Sequence, residues 1–174
     1  MKSTYLNRIG NECVKLLKET KIPIHGSLVF SVNRRLLRSL GRCKKLWNGF
    51  EIEIQGYILE NASPDGLKTV VIHELLHTCP ECFNHGKTWK KYARIINEKY
   101  GFDISRTTCL EDIGINEGKF QKERMHGGGY KYIVACTKCG CRHHYKRAGK
   151  VVKHPDWYRC GKCKGELKVV HGKN

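Results

Sequence analysis

Apolar positions recur along this chain with two different periods, and each run predicts an element. Tyr5, Ile9, Cys13 and Leu16/Leu17 return every three to four residues behind Ser3 or Thr4, either of which can cap the helix they imply. Cys13 falls on that apolar stripe and reads as a small core residue. Lys21-Ile22-Pro23 ends the helix, because proline lacks an amide donor and restricts the residue before it. Leu28, Phe30 and Val32 then alternate with Val29 and Ser31, as in a strand. Residues 33–45 are densely cationic and mix both periods; they read as a basic hairpin or irregular strand pair. After Asn48-Gly49, a turn signal, residues 50–55 alternate strictly, which predicts a half-buried strand. Its second face would meet solvent or substrate, and its edge could receive an extended peptide.

The helix signals further on are sharper. Ser63 is a favourable cap, Pro64 suits the first helical position and Asp65 complements the positive helix end. Leu67, Val70, Val71, Ile72, Leu75 and Leu76 then place apolar side chains on more than one face, so this helix is predicted to be buried. It runs through His77 and stops near Cys79-Pro80. A third helix, from about Gly86 to Tyr100, puts Trp89, Tyr92, Ile96 and Tyr100 on one face.

The buried helix carries three polar residues that need partners: His73, Glu74 and His77. Residues four apart stand on one face, so the two imidazoles can hold a single ion with Glu74 beside it. This is the H-E-x-x-H arrangement, in which two His bind zinc and the Glu serves as base toward the attacking water. His85 is the expected third ligand, because a helical phase carried back from Trp89 and Tyr92 places it on the same inward stripe. The competitor, Glu98, lies about 200° around the helix from Ile96, on the charged face. Cys79 and Cys82 sit at a helix C-terminus, where the dipole disfavours a thiolate, so a role bracing the turn before His85 is favoured over a redox or metal role.

Composition adds a second module. Residues 1–114 carry 18 Lys+Arg against 12 Asp+Glu, and residues 115–174 carry 15 against 4. A segment of such density points to a polyanion, nucleic acid above all. Within it, Cys136-x2-Cys139 and Cys160-x2-Cys163 have the paired spacing of a four-thiolate structural zinc ribbon. Cys141, His143, His144 and His154 break that spacing. Tyr145 and Trp157 are interleaved with Arg142, Lys146, Arg147, Lys150, Lys153 and Arg159, a composition that stacks unpaired bases while neutralising phosphates. The alternative is that Trp157 and Tyr158 form the ribbon's small core.

The expected architecture is therefore α+β: a domain over 1–114 of three helices and a small antiparallel sheet, a basic Gly-rich linker over 115–129, and a zinc ribbon over 130–174. Two zinc ions per chain are expected, one catalytic and one structural. No run approaches the ~20 apolar residues of a membrane span and the N-terminus lacks a signal peptide's apolar segment, so a cytoplasmic monomer is expected. Ten cysteines without a secretion signal argue for ligands and free thiols rather than a disulfide framework.

His73-Glu74-Leu75-Leu76-His77, His85-Gly86-Lys87-Thr88-Trp89, Leu40-Gly41-Arg42-Cys43 and the four-cysteine ribbon together resemble the SprT/Spartan family of metalloproteases. The resemblance implies a minimal zincin-like protease domain, His73, His77 and His85 on the catalytic zinc, Glu74 as catalytic base, and DNA-stimulated cleavage of proteins crosslinked to DNA. The DNA would be single-stranded or distorted and the protein associated with the nucleoid. Family members from eukaryotes carry long C-terminal tails with partner-binding motifs, and the resemblance implies none here. The alternative function is a DNA- or RNA-binding regulatory protein whose H-E-x-x-H site is not catalytic.

Overall fold

The computed structural model of the chain describes residues 2–24, 26–36, 39–116, 120 and 130–172. They form two compact units, residues 1–115 and 116–174, each described separately. Most of the expected linker, residues 117–119 and 121–129, lies outside the described residues.

In the first unit, helix α1 (Lys2–Glu19) is amphipathic and buries Leu6, Ile9, Gly10, Cys13 and Leu17. It packs on strand β1 (Ser27–Asn33) so closely that a Cβ on Gly10 would fall 2.5 Å from the Phe30 ring. Strand β2 (Gly41–Leu46) turns through Trp47 and Asn48 into β3 (Gly49–Gln55). The order is β1-β3-β2.

Two expectations are corrected here. The sheet is mixed rather than antiparallel throughout: β2 pairs antiparallel with β3, while β1 lies parallel to it. Of the cationic stretch, residues 41–45 belong to one arm of the β2–β3 hairpin rather than to a hairpin of their own, and residues 37 and 38 lie outside the described residues. Strand β3 is also central, so it offers no edge, and β1 and β2 are the edge strands instead. Nor is the second face of β3 left to solvent. Glu51 accepts from Lys44 and Ser31, and Glu53 accepts from Arg42 Nε at 2.6 Å and Asn33 Nδ2 at 3.0 Å, forming a cross-strand polar row with Glu53 buried.

A short helix that the pattern did not predict, α2 (Gly56–Asn61), follows β3 without a loop. Its cap is Gln55, whose side chain accepts from the Ile58 amide at 3.0 Å. Helix α3 (Pro64–Leu76) starts as expected, with Ser63 Oγ accepting from the Gly66 amide at 3.0 Å. It buries nine of its thirteen residues. Helix α4 (Lys87–Tyr100) buries Trp89, Ala93 and Ile96 and ends on Gly101 in the left-handed region. The chain then returns to the start of α3, where the Ser63 amide donates to the Ile113 carbonyl at 2.9 Å.

The second unit is an antiparallel sheet of β4 (Tyr132–Cys136), β5 (Arg142–Tyr145) and β6 (Leu167–His171), in the order β5-β4-β6. Single helical turns at Lys150–Lys153 and Pro155–Trp157 join β5 to the second cysteine pair. Eight of the ten cysteines are free thiols. Among the described residues no helix is long and apolar enough to cross a membrane.

Gly66 gives a clean test of what holds α3 in place. Alanine there would gain about 1 kcal/mol of helix propensity. Its Cβ, however, would lie 2.5 Å from the Ile113 carbonyl oxygen and 2.6 Å from the Ile113 Cα, backbone atoms that cannot rotate away. Overpacking of this kind costs roughly 1–3 kcal/mol and outweighs the propensity. Gly66→Ala is therefore expected to lower the denaturant midpoint at unchanged m-value, and a raised midpoint would contradict the packing.

Candidate metal centres

Helix α3 supplies His73, Glu74 and, as its C-cap, His77. Because the helix is apolar nearly all round, these side chains are held among packed groups and must find partners within the protein. His73 Nδ1 donates to the Ser105 carbonyl at 3.1 Å, and His77 Nδ1 donates to the Cys82 carbonyl at 2.7 Å. A carbonyl only accepts, so each bond places the proton on Nδ1 and leaves the Nε2 lone pair for an ion.

His85 meets them from the loop before α4. Its Nε2 lies 3.0 Å from His73 Nε2, and one ligand atom from each of the three rings falls within 4.8 Å of the others. Two nitrogens on one tetrahedral zinc stand roughly 3.3 Å apart, given Zn–N distances near 2.0–2.1 Å. His85 is thus in the expected place, but by another route. Helix α4 begins at Lys87 and Gly86 is its N-cap, so the loop delivers the ring, not a helical phase carried back from Trp89. Glu98 is exposed and pairs with Arg94, which removes it from the ligand set.

The Trp89 indole packs against all three imidazoles, with ring centroids 4.9, 5.8 and 4.6 Å from those of His73, His77 and His85. Its Nε1 is the one buried side-chain N or O atom without a hydrogen-bond partner among the described residues, so the indole serves the site through its ring. Burial pushes the His73 imidazole down to about 3, with His77 and His85 adding to the shift. Burial, then His77, Arg106 and Lys90, bring His85 to about 4. The rings are therefore neutral imidazoles with converging lone pairs. A divalent cation satisfies that donor set, and a proton does not.

Glu74 is buried beside the cluster, and burial pushes its carboxyl up to about 7 against a hydrogen bond from the Cys43 backbone. Gly41, at the start of β2, makes room for it: a Cβ there would stand 2.8 Å from Glu74 Cγ and 3.1 Å from Oε1. A cleft of about 220 Å³ opens here, lined by Gly41, His73 and Glu74 on one side and Arg106 to Thr108 on the other. Arg106 and the Ser105 carbonyl had no sequence signal. Cys79 and Cys82 are buried free thiols, and burial pushes Cys79 up to about 12. The Cys82 amide donates to the Cys79 carbonyl at 3.1 Å and the Cys82 carbonyl accepts from His77, so it is the backbone of these two residues that ties the turn to the histidine.

In the second unit Cys136, Cys139, Cys160 and Cys163 converge, with Sγ–Sγ separations of 3.4 Å for Cys136 and Cys163 and 3.6 Å for Cys139 and Cys160. Burial opposes ionisation of Cys136, but the Cys139 and Lys138 amides aimed at its sulfur outweigh it and bring the thiol down to about 6. The Cys141 amide favours a Cys139 thiolate, yet burial and the neighbouring thiols push that group up to about 12. Four thiolates can coexist here only around a cation, and the donor set is that of structural zinc. Gly165 must lack a side chain, since its Cβ would come 2.8 Å from Cys136 Sγ.

Arg142, Lys146, Arg147, Lys150, Lys153, Trp157 and Arg159 are exposed, and Tyr145 is half-buried. Trp157 is not the ribbon's core: it is 66% exposed and stacks on His154 at 4.1 Å between centroids and 11° between planes. Tyr158 is half-buried.

The model of the SprT-like family matches residues 11–109, which hold the whole histidine centre. Across 147 residues, 80% of this chain, the sequence is 26% identical to the germ cell nuclear acidic protein of Drosophila melanogaster. Across 39 residues, 22% of this chain, it is 49% identical to protein SprT-like of Bacillus subtilis. The chain spans 12% of the first relative's length and 23% of the second's.

Elemental analysis of the purified protein is expected to find two zinc ions per chain, falling to one in His73→Ala/His77→Ala with the far-ultraviolet dichroism kept. A wild-type content of one, or a double variant still holding two, would remove the histidine centre.

Proposed function

This chain belongs to the SprT-like family, and from that premise we propose that it is a zinc metalloendopeptidase cutting proteins bound or crosslinked to DNA. The observation that carries the reading is the joint placement of three neutral imidazoles, their Nε2 atoms turned to one point, and a buried carboxyl on the same helix bordering an open cleft. A structural site needs the imidazoles but has no use for the carboxyl.

In a zincin-like site zinc would supply Lewis acidity, polarising the scissile carbonyl and lowering the pKa of water. His73, His77 and His85 would hold it, with their tautomers set by the Ser105 and Cys82 carbonyls for the first two. Glu74 takes the proton from the attacking water and passes it to the leaving amine. Its raised pKa suits that exchange, since a base works best with a pKa near the working pH. Strand β2, at the edge of the sheet, can pair with an extended peptide through its free backbone groups. Arg106, in the cleft wall, brings a permanent positive charge to the cleft.

The ribbon is the nucleic-acid module in this reading. The Trp157–His154 stack offers an exposed face to an unpaired base, and Arg142, Lys146, Arg147, Lys150, Lys153 and Arg159 neutralise phosphates around it. Single-stranded or distorted DNA presents such bases, and a bound or crosslinked protein becomes a substrate by being carried on that DNA. A cytoplasmic, DNA-associated protein fits this role.

Two experiments probe the reading. With a DNA-bound protein as substrate, Glu74→Gln is expected to lose at least ~10²-fold in cleavage rate while keeping both zinc ions. Equal cleavage by variant and wild type would sink the assignment and leave a nucleic-acid-binding zinc protein. Gly41→Ala should also cut kcat several-fold at unchanged zinc content, because the added methyl displaces Glu74, the group the chemistry uses. A variant with full kcat would show that Glu74 has freedom the packing denies it.

A further inference from the structure

A second groove, of about 370 Å³, runs from His77 to the tip of the β2–β3 hairpin. Its most exposed walls are Trp47, 99% exposed, and Phe83, 67% exposed. The fold accounts for neither. Trp47 occupies a hairpin turn, where small polar residues serve best, and it covers no core. Phe83 directly follows Cys82, whose carbonyl holds His77 and whose amide is tied to Cys79. Phe83 thus directly follows a group that orients a candidate metal ligand, and His77 itself lines the groove, which therefore reaches the histidine centre.

Charge decides between possible occupants. The side chains lining the groove include one cation and one anion, Lys45 and Glu81, so it offers no net attraction to phosphate. Trp157, by contrast, is exposed in a segment that also exposes Lys150, Lys153 and Arg159, a composition suited to stacking of nucleic acid. A groove with aromatic walls and a neutral rim, ending at a metal ligand, suits an apolar side chain on the polypeptide being cut.

We infer that this groove is a side-chain subsite, resting on the peptidase reading above, which takes a large apolar residue of an extended polypeptide close to the scissile bond. Trp47 and Phe83 line it and set the preference.

The test pairs a cleavage profile with a binding measurement. Digesting a peptide library with the wild type should show enrichment of Phe, Tyr, Trp, Leu and Met at one position near the cut. In Trp47→Ser and Phe83→Ser that enrichment should fall to background, and Trp47→Phe should restore part of it. The zinc-loaded Glu74→Gln protein should bind a peptide with Phe at that position about tenfold more tightly than the same peptide with Ala. Adding Trp47→Ser should abolish the difference; its side chain is fully exposed, so removing it leaves no cavity, and zinc content and dichroism check the fold. Cleavage with a flat profile would overturn the subsite and leave the peptidase standing. If the wild type cuts nothing, a panel of Phe and Ala peptides against the Glu74→Gln protein still decides whether the groove selects apolar side chains. Weaker binding of a single-stranded oligonucleotide by Trp47→Ser, with peptide binding unmoved, would assign the groove to bases and overturn the inference.

Discussion

The first unit depends on how a helix buried nearly all round disposes of its polar groups. Helix α3 carries two imidazoles and a carboxylate into the core, and each buried polar group left unpaired costs roughly 1–3 kcal/mol. Against a domain stability of ~5–15 kcal/mol, those groups cannot be left unanswered. Two backbone carbonyls, from Cys82 and Ser105, take the Nδ1 protons. Those carbonyls lie on the segments before and after α4, so the placement of both connections is bound to the tautomers of two side chains. The same bonds leave the lone pairs converging, an arrangement that only a cation resolves. Stability and chemistry are therefore set by one group of contacts, closed by the Trp89 ring.

How much of this was legible in the sequence depended on where the information sits. The His73-Glu74-His77 spacing and the four paired cysteines are side-chain patterns, and the structure brings each set together. The start of α3 was equally readable, because Ser63 and Pro64 act locally. His85 was found by an argument that the structure replaces: the residue converges on the site, but from a loop whose path the apolar period does not describe. The carbonyls of Ser105 and Cys82 were invisible, since backbone atoms carry no residue signature. Alternation in residues 50–55 told that a strand was present, not its neighbours or their direction. Glu51 and Glu53 looked like a solvent face, whereas they pair with residues of β1 and β2 on either side. Helix α2 went unseen because glutamine, an unusual cap, starts it.

The two candidate metal sites bear on their units differently. The first unit has a core independent of its histidines, with Leu6, Leu17, Ile52, Ile54, Ile58, Leu67, Ile72 and Ile96 all buried. Loss of an ion there leaves neutral imidazoles that keep their Nδ1 bonds, so the scaffold persists and the chemistry is lost. Within residues 130–172 the buried apolar side chains are Val134 and Val152, with the cysteines Cys136, Cys141 and Cys160. Two valines give far too little apolar burial to offset the ordering of some forty residues. Beside the pairing of the module's first and last strands, the sulfur cluster brings the two cysteine pairs together, with Gly165 kept bare so that Cys136 can reach it. Metal held by the four cysteines would therefore be a folding ligand, whereas the first unit keeps its core whether or not its histidines hold an ion. The exposed Arg142, Lys150, Lys153 and Arg159 keep their placement only while the cluster holds, so the two units answer to metal for separate reasons.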